Sequence, residues 1–313
     1  MPAESKLQPE LRLFLSVDVQ DSTAFKQQAD ERDAAPWREY FAAYFRDFPK
    51  ELQAQLPPTA PLPAIWKLLG DEIVFTHRIS TLPEIAWLVV AFRTAVAEYR
   101  PKISKPRNLR LKASAWVASF PVGNAIVPLD NGQEDYIGPA MDTGFRLGHL
   151  ATRRKFTLSV ELVWLLLNAP VAERKALPLF YDGRCALKGI MERDGYPFIW
   201  TDLFLVRPPP LVRAEDALQK TLPVQTAALR RFCERYIRVH GEPRYVPFIS
   251  GHFDRRTAEE KRRYQAELDD VEVSLRRLPG KRELAATVAA LGPKRAAEAD
   301  KITEFKRLLG GKG

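Results

Sequence analysis

Apolar and polar positions in the first third of the chain change between strand-like and helical spacing. Residues 11–17 are rich in strand formers and run into the polar segment 18–23, which predicts a strand that ends at a loop. Aromatic and aliphatic side chains then recur at helical spacing over residues 36–56, and two prolines follow. Two short apolar runs, 64–69 and 73–76, are close enough in sequence to form a hairpin.

Helices and strands alternate again in the middle of the chain. Helical spacing predicts helices over residues 82–99, 138–151 and 159–167, and Pro101 lies beyond the end of the first. Runs of strand-forming residues predict strands at 109–119, at 125–127 and in a group between 179 and 204. Some strands are joined by segments too short for a parallel crossover. The sequence therefore predicts an α/β chain of the α+β type, with a mixed, mostly antiparallel sheet and helices on one face.

A second, mainly helical module is expected after three consecutive prolines at 208–210. Its predicted helices cover residues 224–239, 257–277, 281–291 and 295–309, strand formers occur only around 245–249, and a flexible glycine-rich end closes the chain. We place the domain boundary between residues 206 and 207. The net charge of +9 is concentrated in this module, which has 23 Lys and Arg against 15 Asp and Glu, whereas residues 1–206 have 25 against 24.

Composition argues against a membrane protein and against a metal or disulfide framework built on cysteine. No apolar run approaches the roughly 20 residues that a membrane span requires, and residues 1–10 lack the apolar core of a signal peptide. We therefore expect a cytoplasmic protein without membrane contact. Cys185 and Cys233 have no metal-ligand spacing, which predicts two free thiols.

Basic clusters in the C-terminal module raise nucleic acid as a partner. The clusters at residues 255–256, 261–263 and 276–277 are interspersed with acidic residues at helical spacing. Mixed charge of this kind is typical of a solvated helix face, so nucleic acid is the less favoured interpretation. Salt-sensitive binding to random duplex DNA would distinguish the two.

Three polar clusters at the ends of predicted elements are the candidates for chemistry. They are Asp18 with Ser22 and Thr23, Lys67 with Asp71, and Asp135 with Asp142 and Arg146. At the ends of neighbouring strands, the carboxylates of Asp18 and Asp71 would suit two Mg²⁺ or Mn²⁺ ions completed by triphosphate oxygens. Taken singly, each aspartate is more simply explained as a turn or helix-cap residue.

Taken together, the clusters resemble, in order and spacing, the motifs of the class III adenylate and guanylate cyclases. The matching segments are Val17-Asp18-Val19-Gln20-Asp21-Ser22-Thr23, Lys67-Leu68-Leu69-Gly70-Asp71-Glu72, Asp135-Tyr136-Ile137-Gly138 with Asp142 and Arg146 following, and Leu187-Lys188-Gly189-Ile190. The resemblance covers about residues 10–204. It implies the ferredoxin-like class III cyclase fold and conversion of a nucleoside triphosphate to a 3′,5′-cyclic monophosphate with release of pyrophosphate.

The resemblance also implies a metal and phosphate site around the end of the first strand. Asp18, Asp71 and the backbone carbonyl of Val19 would ligate two divalent ions, Mn²⁺ or Mg²⁺. Ser22 and Thr23 would contribute to binding the substrate phosphates. Two such ions and fixed cationic side chains suit a reaction in which catalysis is mainly positioning and charge neutralisation.

Further matching residues carry roles in charge stabilisation and in phosphate binding. Arg146 would stabilise charge on the α-phosphate, and Lys188 would hold the β- and γ-phosphates. Asp142 occupies a catalytic position that is asparagine in the family, and Gln20 replaces a glycine of the phosphate loop. Because a carboxylate only accepts hydrogen bonds, these departures predict a relaxed or altered substrate class.

The base would be read by Lys67 and Asp135, a donor beside an acceptor, which together suit adenine, cytosine or uracil. The sequence of residues 138–147 looks most like the corresponding motif of the pyrimidine cyclases of bacterial Pycsar anti-phage systems. This resemblance favours UTP as the substrate, then CTP, and adenylate or guanylate cyclase activity is the alternative. Phe14 and Tyr136 are candidate pocket walls. Phe14 shares a strand face with Asp18 but is equally well explained as a core aromatic.

Partners follow from the same resemblance. In this family the active site lies between two cyclase domains, which implies a homodimer with shared sites, and the Pycsar systems imply a cyclic UMP messenger that activates a separate effector protein in antiviral defence. Two rival interpretations are a catalytically inactive dimeric scaffold and a nucleic-acid-binding protein. The C-terminal module would be regulatory, sensory or dimer-supporting.

Overall fold

The computed structural model describes residues 7–27, 36–104, 109–129, 132–174, 177–190, 194–205, 208–240 and 245–277. Its strands are β1 (Glu10–Gln20), β2 (Ala64–Leu69), β3 (Glu72–Ile79), β4 (Arg110–Phe120), β5 (Ala125–Pro128), β6 (Glu134–Ile137), β7 (Lys155–Leu158), β8 (Leu179–Cys185) and β9 (Tyr196–Asp202). Its helices are α1 (Ser22–Gln27), α2 (Pro36–Gln55), α3 (Leu82–Ser104), α4 (Pro139–Leu150), α5 (Val160–Asn168), α6 (Val171–Arg174), α7 (Pro210–Gln219), α8 (Thr226–His240) and α9 (Ala258–Arg277).

Seven strands form one sheet in the order β2-β3-β1-β4-β7-β9-β8, and β5 and β6 form a separate two-stranded hairpin. The central strand β1 pairs antiparallel with β3 on one side and with β4 on the other. Within the described part of the chain, β4 and β7 are the one parallel pair of neighbours. The predicted mixed, mostly antiparallel sheet of an α+β chain is confirmed.

The alternation of side chains along β1 separates two differently packed faces. Leu13, Leu15 and Val17 enter the large apolar core, to which α2, α3 and α5 contribute buried residues. Phe14 lies on the opposite face, in a smaller cluster with Trp116 and with side chains of α4. The predicted layer of helices on one face therefore holds for α2, α3 and α5, whereas α4 packs on the other face.

Several short elements differ from the sequence prediction. The strands β6 and β7 and the helix α6 have four residues each, too few for a clear period, and the loop predicted after Val17 is instead the last part of β1, a turn at Asp21 and α1. Helix α3 continues through Pro101 to Ser104. Because proline lacks a backbone N–H, the helix lacks one hydrogen bond in this last turn.

The described part of the C-terminal module differs from the sequence prediction in two places, at the proline segment and at the expected strand. Pro210 begins α7, because the fixed φ of proline is suited to the first helical position. The strand expected around 245–249 is reduced to an isolated bridge between Ile249 and Phe253. The helices predicted at 281–291 and 295–309 and the glycine-rich end lie outside the described residues, as does the boundary at 206–207.

Helix α8 joins the described C-terminal part to the large core. Its buried residues Leu229, Cys233, Tyr236 and Ile237 belong to the same apolar cluster as β1. Cys185 and Cys233 are free cysteines. None of the described helices combines the length and the hydropathy that crossing a membrane requires.

Candidate active site

A cleft forms near the end of β1, where β1, β3 and β4 lie side by side. Asp18 is directly opposite Glu72 on β3 and Lys112 on β4. Cross-strand neighbours project from the same face of a sheet, so these three side chains converge. Ser16 lies two residues before Asp18 and lines the cleft with them.

Two ion pairs lie at this end of β1, of which Asp18 and Lys112 line the cleft and Asp71 and Lys26 lie beside it. The Asp18 carboxylate lies 2.8 Å from the Lys112 ammonium, and Asp71, in the turn between β2 and β3, lies 3.4 Å from the ammonium of Lys26. Burial and the charge of the neighbouring Asp71 raise the pKa of Asp18 above its ordinary value, while Lys112 acts in the opposite direction. The two carboxylates are therefore close enough to repel each other, and a cation between them would relieve that repulsion.

Glu72 is the third acidic group of the cleft. Burial raises its pKa to about 7, and the charges of Asp18 and Asp71 act in the same direction, whereas a hydrogen bond from Ser16 and the charge of Lys112 lower it. The Ser16 hydroxyl donates that bond to the Glu72 carboxylate. A carboxyl group that titrates near neutral pH beside two aspartates is typical of functional sites.

Helix α4 and strand β4 complete the walls. The cleft encloses about 380 Å³ including solvent at its mouth, and its lining includes Ser114 of β4 together with Phe145, Gly148 and His149 of α4. Because α4 lies on this face of the sheet, its last two turns cover the side of the cleft nearest β4. The opening is both polar and large enough for a phosphate group.

The donor set fits hard divalent cations. The Asp71 carboxylate lies close enough to Asp18 to raise the pKa of Asp18, and the two groups provide the oxygen ligands that Mg²⁺ and Mn²⁺ prefer. Beyond Asp18 the pairing of β1 with β3 ends, so Val19 has a neighbouring strand only on the β4 side. Within the described residues no set of three or more His, Cys, Asp or Glu side chains is arranged around one point, so further ligands must come from backbone, water or substrate.

Lys67 and Asp135, predicted to read the base, form an ion pair at 2.6 Å. Lys67 lies on β2 and Asp135 on the β5–β6 hairpin, and the side chains are 28% and 22% exposed. The backbone N–H of Tyr136 donates to the Asp135 carboxylate at 2.8 Å. The Lys67 ammonium also lies 4.5 Å from the centre of the Trp66 ring, so the pair has an aromatic surface beside it.

The two aromatic residues proposed as pocket walls are both buried. Phe14 is 0% exposed, stacks on Trp116 at 5.4 Å and contacts Trp66 and Tyr136 edge-on at 5.3 Å. Such surroundings favour the core-aromatic interpretation of Phe14 over that of a pocket wall. Tyr136 is 5% exposed, and its hydroxyl donates to Glu134 at 2.8 Å.

The remaining predicted residues face outward. Asp142 and Arg146 are four residues apart on α4 and are both exposed, and Lys188 is exposed in the turn between Leu187 and Ile190. None of the three lines the cleft in the described part of the chain. One protomer thus brings Asp18 together with Asp71 and leaves these charged groups on its surface.

Ser22 and Thr23, the first two residues of α1, differ in burial. Ser22 is buried and Thr23 is exposed. Asp21 just before them takes a positive φ of 68°, which turns the chain from β1 into the helix. Both residues therefore follow the end of β1 closely, as the phosphate-binding role expects, although neither lines the cleft within the described residues.

Sequence analysis missed four residues of this region: Lys26, Trp66, Glu72 and Lys112. Glu72 and Trp66 are adjacent in sequence to predicted site residues, and that adjacency was the available signal. Lys112 alternates with Ser114 on the face of β4 that lines the cleft, but its position opposite Asp18 depends on strand register. Lys26 reaches Asp71 from α1, an element that the sequence pattern did not predict.

No protein-family model and no curated protein matches the sequence. Similar solved structures include the adenylyl cyclase CyaB from P. aeruginosa, with 15% identity and a TM-score of 0.46 over 65% of this chain and 97% of that chain. The guanylyl cyclase Cya2 is similar at 12% identity and a TM-score of 0.47, over 66% and 98% of the two chains. The guanylate cyclase domain of RhGC from Catenaria anguillulae, in complex with GTP, has 11% identity and a TM-score of 0.44 over 63% and 98%. Similarity at this level assigns no role to any residue.

Proposed function

We propose that this chain is a nucleotidyl cyclase that converts a nucleoside triphosphate to its 3′,5′-cyclic monophosphate and pyrophosphate. The observation that carries the proposal is the closeness of the Asp18 and Asp71 carboxylates at the end of β1, where Asp71 contributes to the raised pKa of Asp18. The resemblance of the motifs around both residues to those of class III cyclases supports it. The Lys67–Asp135 pair supplies a donor and an acceptor for a base and, as the resemblance implies, would serve with Arg146 the site whose metal ligands come from the second copy.

The predicted residues near the end of β1 would each have a role in this reaction, in which the ribose 3′-hydroxyl attacks the α-phosphorus while pyrophosphate leaves. Asp18, Asp71 and the Val19 carbonyl would hold two divalent ions, Mn²⁺ or Mg²⁺. Bound ions would supply activation of the attacking oxygen and neutralisation of the leaving phosphates. Ser22 and Thr23 would bind substrate phosphates near the end of β1.

Arg146, Asp142 and Lys188 would act in the site of a second copy. Their exposure on α4 and on the turn after β8 leaves the three side chains available to a partner. An Arg guanidinium matches the geometry of phosphate oxygens, so Arg146 would stabilise charge at the α-phosphate and Lys188 would hold the β- and γ-phosphates. Asp142 would lie near the ribose or phosphates. We therefore propose a homodimer with shared active sites.

For the substrate we place UTP first and CTP second, with ATP and GTP as alternatives of the same fold. The form of residues 138–147, which looks most like that of the pyrimidine cyclases, supports this order. Lys67 and Asp135 would bind the base, with Tyr136 positioning Asp135 through its backbone N–H. Since Phe14 is fully buried, Trp66 replaces it as the aromatic wall nearest to the pair.

The same resemblance supports a biological setting. Cyclic UMP would act in the cytoplasm as a second messenger in bacterial antiviral defence, through a separate effector protein that the cyclase need not contact. The inactive-scaffold alternative is disfavoured by the retention of Asp18, Asp71, Arg146 and Lys188. The basic C-terminal module would regulate the enzyme, sense a signal or support the dimer.

The test is incubation with each of the four triphosphates and Mn²⁺, followed by mass identification of the product. Wild-type protein should release a cyclic monophosphate and pyrophosphate from at least one triphosphate. Asp71→Ala should lose this activity and remain folded, because it removes a metal ligand from a turn rather than a core contact. Asp47→Ala, at a partly exposed aspartate of α2, is the matched control and should keep this activity. Undiminished turnover by Asp71→Ala would contradict the metal assignment.

A further inference from the structure

Lys112 is a charged residue of the cleft that neither the motifs nor the proposed reaction accounts for. It lies on β4 directly opposite Asp18, and its ammonium is 2.8 Å from an oxygen of the Asp18 carboxylate. Strand pairing sets this distance, so the contact does not depend on a mobile loop. With 23% of its side chain exposed, Lys112 is also open to whatever enters the cleft.

The charges of the cleft are nearly balanced by lysines. Asp18 pairs with Lys112 at 2.8 Å and Asp71 pairs with Lys26 at 3.4 Å, so each carboxylate has its own ammonium. Glu72, which accepts a hydrogen bond from Ser16, is the remaining acid. A divalent ion that binds Asp18 must therefore compete with Lys112 for the same carboxylate.

We propose that Lys112 is an exchangeable counterion, which holds the Asp18 carboxylate until a divalent cation binds there and then turns its ammonium to the triphosphate. This inference rests on the proposed function. The flexible four-carbon stem of lysine and its three rotatable donors permit such a change of partner. Within the cleft, Ser16 and Ser114 are small neighbours that leave the ammonium room to move.

The inference predicts opposite changes for the two ligands when Lys112 is removed. Lys112→Met keeps the aliphatic stem but loses the charge. Titration with Mn²⁺ alone should show binding about tenfold tighter than in the wild type, the order of effect expected when one competing charge-assisted hydrogen bond is lost. With Mn²⁺ saturating, inorganic tripolyphosphate should bind about tenfold more weakly, since one cationic donor to phosphate is missing.

Two further variants separate charge from structure. Lys112→Arg keeps a cation that bonds to Asp18, so its Mn²⁺ affinity should stay near the wild-type value. Lys50→Met removes an ammonium that pairs with Asp47 at 3.3 Å outside the cleft, and both affinities should be unchanged. If Lys112→Met does not fold, as judged by its thermal unfolding transition, Lys112→Gln provides the same comparison.

The outcomes distinguish failure of this inference from failure of the proposed function. Mn²⁺ binding that Asp18→Asn abolishes but Lys112→Met leaves unchanged or weakens would overturn the counterion role and leave the metal site intact. Unchanged or tighter tripolyphosphate binding by Lys112→Met would overturn the transfer to phosphate. Absence of Mn²⁺ binding in the wild type and all variants would overturn the metal assignment itself, and the inference with it.

Discussion

Lys67 and Asp135, proposed to bind the base, form an ion pair at 2.6 Å with about a quarter of each side chain exposed. In the proposed role, an entering base would replace this contact with hydrogen bonds of its own. A base that matches poorly would leave one charged group unpaired, so the pair would discriminate through the penalty for a mismatch.

Asp135→Ala should therefore weaken the preference among the four triphosphates. Loss of the acceptor should lower the turnover efficiency of the preferred substrate most, by an amount equivalent to about 1 to 3 kcal/mol, and narrow the gap to the others. Lys188→Ala, at a residue proposed to bind phosphates, should reduce all four alike. The measurement is the four-way ratio of turnover efficiencies in each variant. An unchanged ratio in Asp135→Ala would mean that the pocket selects by shape alone.

At the scale of single residues, the contiguous motifs were sufficient to predict which of these side chains lie close together. Asp18 and Asp71, and the pair of Lys67 with Asp135, were identified from such motifs, and the structure brings each pair together. The contact of Asp18 with Lys112 was not foreseeable, because a register shift of one residue would place Lys112 on the other face. Side-chain partners across a sheet require the register, which local patterns do not contain.

The packing of α4 on the sheet depends on a glycine. An ideal Cβ at Gly144 would lie 2.1 Å from a ring carbon of Trp116, whereas one at Gly148 would lie 3.4 Å from the Ser114 hydroxyl. Gly144 therefore lets the helix backbone lie directly on the buried indole. Since α4 carries Asp142 and Arg146 on its exposed side, this contact also fixes the distance of those residues from the sheet.

Gly144→Ala should destabilise the protein although alanine is the better helix former. The helix propensity gain of about 1 kcal/mol is smaller than the expected clash, because overpacking a core costs typically about 1 to 3 kcal/mol and here the neighbour is a rigid ring. Gly148→Ala on the same helix is the control and should be neutral or stabilising. Chemical denaturation gives both free energies of unfolding. Equal or greater stability of Gly144→Ala would show that Trp116 moves aside freely.

Long elements with a clear period were predicted well, and short ones were not. The 20-residue α2 and the β2–β3 hairpin lie where the pattern placed them. The four-residue β7 pairs with β4 and β9, which are distant in sequence, so tertiary pairing rather than local pattern determines it. The four-residue β6 pairs with the nearby β5 but is too short to show a period. The position of α4 on the face opposite α3 likewise follows from which residues of β1 and β4 pair, which periodicity alone does not reveal.

The whole molecule combines a cleft near its central strand with charged residues that face outward. Helix α8 packs its apolar side into the large core, and its exposed side carries ion pairs such as Arg238 with Glu234 at 2.6 Å and with Glu260 at 3.1 Å. These pairs use part of the basic excess of the C-terminal third internally. Asp142 and Arg146 of α4 are also exposed, and the proposed dimer explains their exposure, because both side chains would act in the active site of a second copy.

That arrangement predicts that two inactive variants regain activity when mixed. Asp71→Ala damages the metal side of a site and Arg146→Ala the phosphate side, so each homodimer has two broken sites. A heterodimer has one site with both mutations and one with neither. In an equal mixture with free subunit exchange, half of the dimers are heterodimers and half of their sites are intact, so about a quarter of wild-type activity should return.

Mixing Asp71→Ala with Asp18→Asn is the control, because both changes lie on the metal side and every site stays damaged. Cyclic nucleotide production is measured after exchange has been verified with differently labelled subunits. If labels exchange and the first mixture stays as inactive as the control, Arg146 acts within its own chain or not at all, and the shared-site dimer must be abandoned.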